Sequence, residues 1–350
     1  IYSFDHDLSQ FVAIGTGGVS EDGTVVVSDP GVGILEAGWH CQGNPGAAGS
    51  ACNCAACQKC GGSQCVPTSG EIELASVTSD DNFTIPASSP RTPGIEAQAI
   101  SDGDGAAIKW SARIEFTAKA GCSGGPIFGS TEVTGTGSSF SPIFPGVFGG
   151  DLTVTAENSC GKVDSTAIAV RGEDPGRNAI QNELGNAPAP FDAGDLKRIA
   201  CQESGQRQFA DGTQDGTPIQ GPGGDAGIMQ ICFGRTSDSL WDWKKNIQQG
   251  KSILSSSLIF ARTVPSIVRS QGIRGQVPFP EARDFRPPEL RLEAIKRYNA
   301  GTGPDVGYWE WDPQALDPVT GDMGTWKANP QGGGDANYVD NVRSKDPSCF

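Results

Sequence analysis

Histidine is nearly absent from this chain. The 350 residues hold two, His6 and His40, and the C-terminal half holds none. A thiol or hydroxyl nucleophile with a histidine base therefore cannot be assembled in that half. No run of 18 apolar residues occurs, so no membrane span is expected. Positive charge is short as well: 26 Lys and Arg stand against 41 Asp and Glu, a net charge of −15. That balance gives no support for nucleic-acid binding. The deficit is uneven, since residues 1–189 hold 8 Lys and Arg against 21 Asp and Glu while residues 190–350 hold 18 against 20. The N-terminal excess reads as a solubilising acidic surface. There is no internal repeat. The chain opens on Ile1 with neither a Met nor an apolar leader, so it reads as a mature or trimmed fragment whose signal peptide, if any, is gone.

Cysteine is abundant by contrast. Eleven are present, six of them between Cys41 and Cys65, which places the chain in an oxidising compartment: secreted, periplasmic or at the cell surface. The odd count leaves at least one without a partner in the chain. Cys52, Cys54, Cys57, Cys60 and Cys65 follow Cys41 with repeated two-residue gaps that permit zinc. Scarce histidine and an oxidising setting favour disulfides instead. Cys122 and Cys160 are a second candidate disulfide. Trp39-His40 beside Cys41 reads as packing. No cofactor and no metal are expected.

Texture divides the chain into a cysteine-rich small β module (1–70), an immunoglobulin-like β-sandwich (71–172), a linker (173–194) and a mainly α domain (195–350). In the first module, Phe11-Val12-Ala13-Ile14 and Thr24-Val25-Val26-Val27 are β-rich runs, with Glu21-Asp22-Gly23 as the hairpin turn between them. In the second, residues 108–116, 152–156 and 166–170 alternate along strands at sandwich spacing. That pattern loosely resembles the immunoglobulin-like modules of bacterial surface proteins. From Asp195 the period becomes helical, with Leu196, Ile199, Ala200 and Glu203 on one face, Asp195 as N-cap and Gly205 as stop. A second helix runs from Trp243 to about Arg262, where Pro265 bends or ends it. A third runs from Pro288 to Asn299, and a short one from Asn337 to Lys345.

The chemistry gathers in three short stretches. Ala200-Cys201-Gln202-Glu203-Ser204-Gly205 puts a carboxyl at the end of an apolar helical run, near the helix C-terminus. Both surroundings disfavour its charged form and keep a proton available. Gly227-Ile228-Met229-Gln230-Ile231 puts a thioether and an amide on a tightly turned segment, and Tyr298-Asn299-Ala300-Gly301 adds a phenol. An acid in an apolar wall, with amide and phenol nearby, is what breaking a glycosidic bond requires.

These three stretches stand in the order and approximate spacing found in lytic transglycosylases, which share the lysozyme-like fold with goose-type lysozymes. Asn246-Ile247 with Gly250, and Tyr338-Val339 with Val342, are similar to the family's secondary signatures. The resemblance spans roughly residues 190–345. It implies that Glu203 is the general acid/base and that Ser204 forms the family's Glu-Ser pair. It further implies that Met229 and Gln230 line the cleft against sugar and acetamido group. The hydroxyl of Tyr298 would approach Glu203, and Asn299 would hold that end of the cleft. The implied partner is the glycan strand of peptidoglycan, or a chitin-like oligosaccharide. The implied reaction cleaves the β-1,4 bond between N-acetylmuramic acid and N-acetylglucosamine and leaves a 1,6-anhydro end.

The chain departs from the family pattern in the long glycine-rich segment 206–224, in Asp225, and in the stretch 264–287. Asp211, Asp215 or Asp225 could supply a second carboxylate, which would make the enzyme a hydrolysing muramidase. A catalytically idle glycan-binding or surface-display protein is the alternative from another class. In a lysozyme-like fold, Cys201 and Cys232 flank packed segments and are expected to pair, leaving Cys349 as the odd cysteine.

Overall fold

The computed structural model describes residues 2–5, 10–13, 15–20, 26–30, 40–41, 57–61, 64–101, 108–119, 128–210, 216–272, 277–301, 303, 306–330 and 332–349. The first of these form short ribbons. β1 (Tyr2–Asp5) lies antiparallel between β2 (Gln10–Ala13) and β5 (His40–Cys41). β3 (Gly17–Val19) pairs with β4 (Val26–Ser28), and β6 (Gln58–Gly61) with β7 (Gln64–Pro67). The two β-rich runs expected to form one hairpin instead pair with nearer segments, β2 with β1 and β4 with β3. Shorter loops close at a smaller entropic cost. Glu21, Asp22 and Gly23 lie outside the described residues, as do Cys52 and Cys54.

Two sheets follow. One has the order β13-β10-β8, from β8 (Ile72–Ser79), β10 (Ile95–Ser101) and β13 (Ser139–Phe140). The other has the order β12-β11-β14-β15-β9, from β9 (Thr84–Ile85), β11 (Lys109–Thr117), β12 (Phe128–Thr136), β14 (Gly150–Glu157) and β15 (Val163–Gly172). Alternation directs every second side chain inward. Trp110, Ala112 and Ile114 of β11 and Leu152, Val154 and Ala156 of β14 meet Ile95, Ala97 and Ala99 of β10 in one buried cluster. Residues 108–116, 152–156 and 166–170 fall on β11, β14 and β15, with Ile108 just ahead of β11. The Trp110 indole, buried in that cluster, donates to the Gly137 carbonyl at 2.7 Å.

The helices are α1 (Arg177–Glu183), α2 (Ala193–Ser204), α3 (Ser237–Trp241), α4 (Trp243–Ser270), α5 (Pro287–Ala300) and α6 (Tyr338–Ser344); a hairpin of β16 (Trp309–Leu316) and β17 (Met323–Ala328) stands between α5 and α6. The structure departs from the expected fold class. Strand structure returns after the helices begin, in β16–β17 and in the bridges Phe209↔Pro218 and Ala226↔Ile231. Among the described residues helices and β-structure are interspersed, and they do not make a mainly α C-terminal domain. The physical reason lies in the cores. Phe209, Ala226, Leu240 and Trp241 are buried with the sandwich residues. Val264 and Val268 of α4 are buried against Trp311 and Trp326 of the hairpin. Neither set is covered by helix-to-helix packing alone.

Local details also differ. The N-cap of α2 is Asp192, with Asp195 at the third helical position; Asp195 N–H donates to Asp192 at 2.9 Å and Asp192 N–H donates back to Asp195 at 3.1 Å. That reciprocal pair leaves fewer unpaired donors than a cap at Asp195 alone. α2 stops, as expected, at Gly205, whose φ of 65° is the left-handed conformation that favours glycine. α4 continues through Pro265 to Ser270. Proline forfeits one backbone hydrogen bond, and the burial of Val264 and Val268 against the tryptophan hairpin offsets the loss.

Cysteine pairing departs from expectation as well. Cys201 is bonded to Cys349, 148 residues away, and Cys57 to Cys160, 103 residues away. Neither Cys201–Cys232 nor Cys122–Cys160 forms, and Cys349 is not the odd cysteine. Cys232 and Cys65 are each half of a disulfide, and Cys122 lies outside the described residues. Cys201–Cys349 fixes the tail after α6 to the turn of α2 that precedes Glu203. Among the described residues no helix is long and apolar enough to cross a membrane.

Candidate active site

Glu203 sits on the last turn of α2, and three walls surround it. The first is the loop 220–235, the second one face of α4, and the third the C-terminal end of α5. On α4 the lining residues Gln249, Ser252, Ile253 and Ser256 recur at three- and four-residue intervals, so they share one face. Together these walls bound a cleft of about 880 Å³, lined also by Glu203, Asp225, Gln230, Phe233, Tyr298 and Asn299.

The loop carrying Gln230 is held by buried amides. Asn246 on α4 accepts from Met229 N–H at 2.8 Å and donates to the carbonyls of Ala226 at 3.0 Å and Ser239 at 2.9 Å. Gln208 accepts from Ile228 N–H at 3.1 Å and donates to Leu240 O at 2.7 Å. Gly227 has φ 77°, and a Cβ there would come within 2.3 Å of the Asn246 amide, so no other residue fits.

Burial is the main force on Glu203, and it pushes the carboxyl up to about 7. The Tyr338 hydroxyl donates to Glu203 Oε1 and opposes that rise. The charge of Asp225 reinforces it. Burial likewise raises the Tyr298 and Tyr338 phenols well above their ordinary value, and the Glu203 charge adds to both. Around neutrality the site thus holds a carboxyl able to keep its proton, flanked by two neutral phenols.

The expected site residues meet these surroundings unevenly. Glu203, Gln230, Asn299 and Asp225 line the cleft. Gln230 donates through its amide to Gly227 O at 2.8 Å, and Gln230 Oε1 and Asp225 Oδ2 both crowd Gly221. Asn299 accepts from Asp335 N–H at 3.1 Å. Ser204 faces the loop rather than the cleft and donates to Ile228 O at 2.9 Å. Met229 is a correction: its side chain is buried in the helical core, packed on Gly250. Tyr298 is near Glu203, but its hydroxyl donates to Met229 O at 2.6 Å. The phenol on the carboxyl belongs to Tyr338. Asp211 and Asp215 lie outside the described residues, so of the three candidate second carboxylates only Asp225 is placed.

Sequence reading missed Gln208 and the role of Tyr338. Tyr338-Val339 was visible as a secondary signature, but a contact 135 residues away carries no local signal. Among the described residues no group of three or more His, Cys, Asp and Glu is placed to hold a metal ion. No family model, curated protein or solved structure matches the chain.

Proposed function

We propose that this cleft cleaves peptidoglycan glycan strands at the β-1,4 bond between N-acetylmuramic acid and N-acetylglucosamine, as a lytic transglycosylase with Glu203 as general acid/base. The observation that carries the proposal is a carboxyl pushed to about 7 on the wall of a cleft of about 880 Å³. An alkoxide is a poor leaving group from an acetal, so the bond breaks when an acid donates a proton to the departing oxygen. Glu203 supplies that proton. The resulting carboxylate then takes the proton of the muramic C6 hydroxyl as its oxygen attacks C1. One ring bond forms, one glycosidic bond breaks, and no water is consumed. Tyr338 steadies the carboxylate between the two steps by donating to it. Disulfides fit an enzyme working outside the reducing cytoplasm, as a murein substrate demands.

Hydrolysis is the second reading, and Asp225 favours it: the carboxylate borders the same cleft and its charge acts on Glu203. Two carboxylates on opposite sides of a sugar would permit one to activate water. Incubation with purified sacculi, followed by mass spectrometry, separates the outcomes. Anhydro-ended products, lost in Glu203→Gln, support the proposal. Products heavier by one water, with a borohydride-reducible end, assign the hydrolase. Sacculi left untouched by wild type and variant alike would make the chain a glycan-binding protein without activity. A chitin digest run alongside reports whether lactyl-bearing sugars are required.

A further inference from the structure

The Phe233 side chain stands exposed, 63% accessible, while Trp110, Trp241, Trp243, Trp311 and Trp326 are all buried. It belongs to no core cluster, yet it lines the same cleft as Glu203. An exposed phenylalanine forfeits the burial of a large apolar surface, so its position calls for an occupant.

The backbone beneath the ring is fixed from several sides. Cys232 before it is tied into a disulfide. Gln249 on α4 donates to Phe233 O at 3.2 Å and to Gly234 O at 2.8 Å. Gly234 turns the chain with φ 65°. The ring is therefore presented on a held loop at little entropic cost on binding.

The neighbours define what the ring receives. Along the cleft stand the Gln249 amide, the Ser252 and Ser256 hydroxyls and the Asn299 amide, with Ile253 as the other apolar group on the α4 face. A partner helix or lipid would ask for a continuous apolar stripe. One flat apolar face surrounded by hydroxyls and amides matches a pyranose, whose axial C–H groups cover one face while hydroxyls and an acetamido group radiate from its edge.

We infer that Phe233 is a stacking platform for an N-acetylhexosamine ring of the bound strand, at a subsite other than the one Glu203 serves. This rests on the glycan reading of the cleft. It goes further in requiring that the strand extend along the 232–235 loop and α4, so that the protein favours longer chains over short ones.

The test separates this inference from the reading beneath it. Binding is measured on the Glu203→Gln protein, which holds substrate without turning it over, by titration with N-acetylglucosamine tetramer and hexamer and with soluble glycan strands. Adding Phe233→Ala is expected to weaken hexamer binding by about tenfold. Phe233→Trp is expected to restore it, and Phe233→Leu, apolar but not planar, is not. In the active protein, Phe233→Ala is expected to raise KM on long strands and leave kcat within about twofold. Phe233→Ala melts with the parent, because the ring packs on no core. Equal hexamer affinity for parent and Phe233→Ala overturns the platform, as does failure of every glycan to bind. So does self-association that the alanine variant abolishes while glycan affinity stays unchanged, since the occupant is then a second copy. Sacculus clearing by the otherwise unaltered protein reports separately on the catalytic reading.

Discussion

At Glu203 the balance between burial and a single hydrogen bond decides when the proton leaves. Tyr338 stabilises the charged carboxylate, so removing its hydroxyl leaves burial less opposed. Tyr338→Phe should therefore move the alkaline limb of the pH–rate profile to higher pH while lowering kcat at every pH. A limb that stays in place would detach Tyr338 from the acid. The same carboxyl governs a stability effect. Unfolded, Glu203 titrates near its ordinary 4.5; folded, near 7. Between those values the native state binds more protons than the unfolded state, so stability falls as pH rises through the window and levels off above it. Glu203→Gln carries no such titration. The melting-temperature difference, variant minus parent, should grow from pH 4.5 to 7 and then stay constant; a flat difference would mean the native carboxyl is not raised. Glu203 was legible because its acid closes an apolar helical run before a glycine. Tyr338 as its partner was not, because only the folded chain brings α6 to α2.

Between Glu293 and Arg297 on α5 lies an ion pair with no exposure on either side chain. Arg297 Nε donates to Glu293 at 2.8 Å and Nη1 to Gly303 O at 2.7 Å, while Glu293 accepts from the backbone N–H of Tyr308 at 2.7 Å and Trp309 at 3.1 Å. The pair thus ties the start of the hairpin to the helix that presents Tyr298 and Asn299. Breaking a buried pair strands the other charge. Glu293→Ala should lower unfolding stability by about 3–5 kcal/mol, read by denaturant titration, and a loss below about 1 kcal/mol would show that the pair is not closed from water. Elements whose ends carry local chemistry were readable: α5 from its proline start and α2 from its glycine stop. The hairpin was not, because Pro313 interrupts Trp309–Leu316 and proline argues against a strand. The structure accommodates it at the register shift between Asp312 and Leu316. Pro265 misled in the opposite direction, since local preference weighs less than the tryptophan surface buried beyond it.

Across the molecule, α3 and the loop before it join the sandwich core through Trp241, Leu240, Phe209 and Ala226, while α2, α4, α5 and α6 enclose a core of their own. The Trp241 ring packs edge-on to Phe116 of β11 at 5.0 Å and tilted against Phe209 at 5.9 Å. Gly149 lies so close that a Cβ there would stand 2.5 Å from it. Polar contacts follow the same seam: Trp243 donates from its indole to Ala87 O at 2.7 Å, and Asp238 accepts from Val147 N–H at 3.0 Å. A composition shift near residue 172 suggested a linker there, yet composition cannot show that Trp241 packs into the core that Ile85 and Ile95 begin. Two units joined by a loose linker would melt apart and leave each other's stability untouched. Units sharing a buried indole lose stability together. Trp241→Ala removes that indole and leaves a cavity, at about 3–5 kcal/mol. Calorimetry should show one transition in both proteins, shifted down as a whole in the variant, with the sandwich tryptophan Trp110 and the hairpin tryptophans becoming exposed together. Two resolved transitions, of which only one moves, would mean that the seam does not couple the sandwich to the cleft.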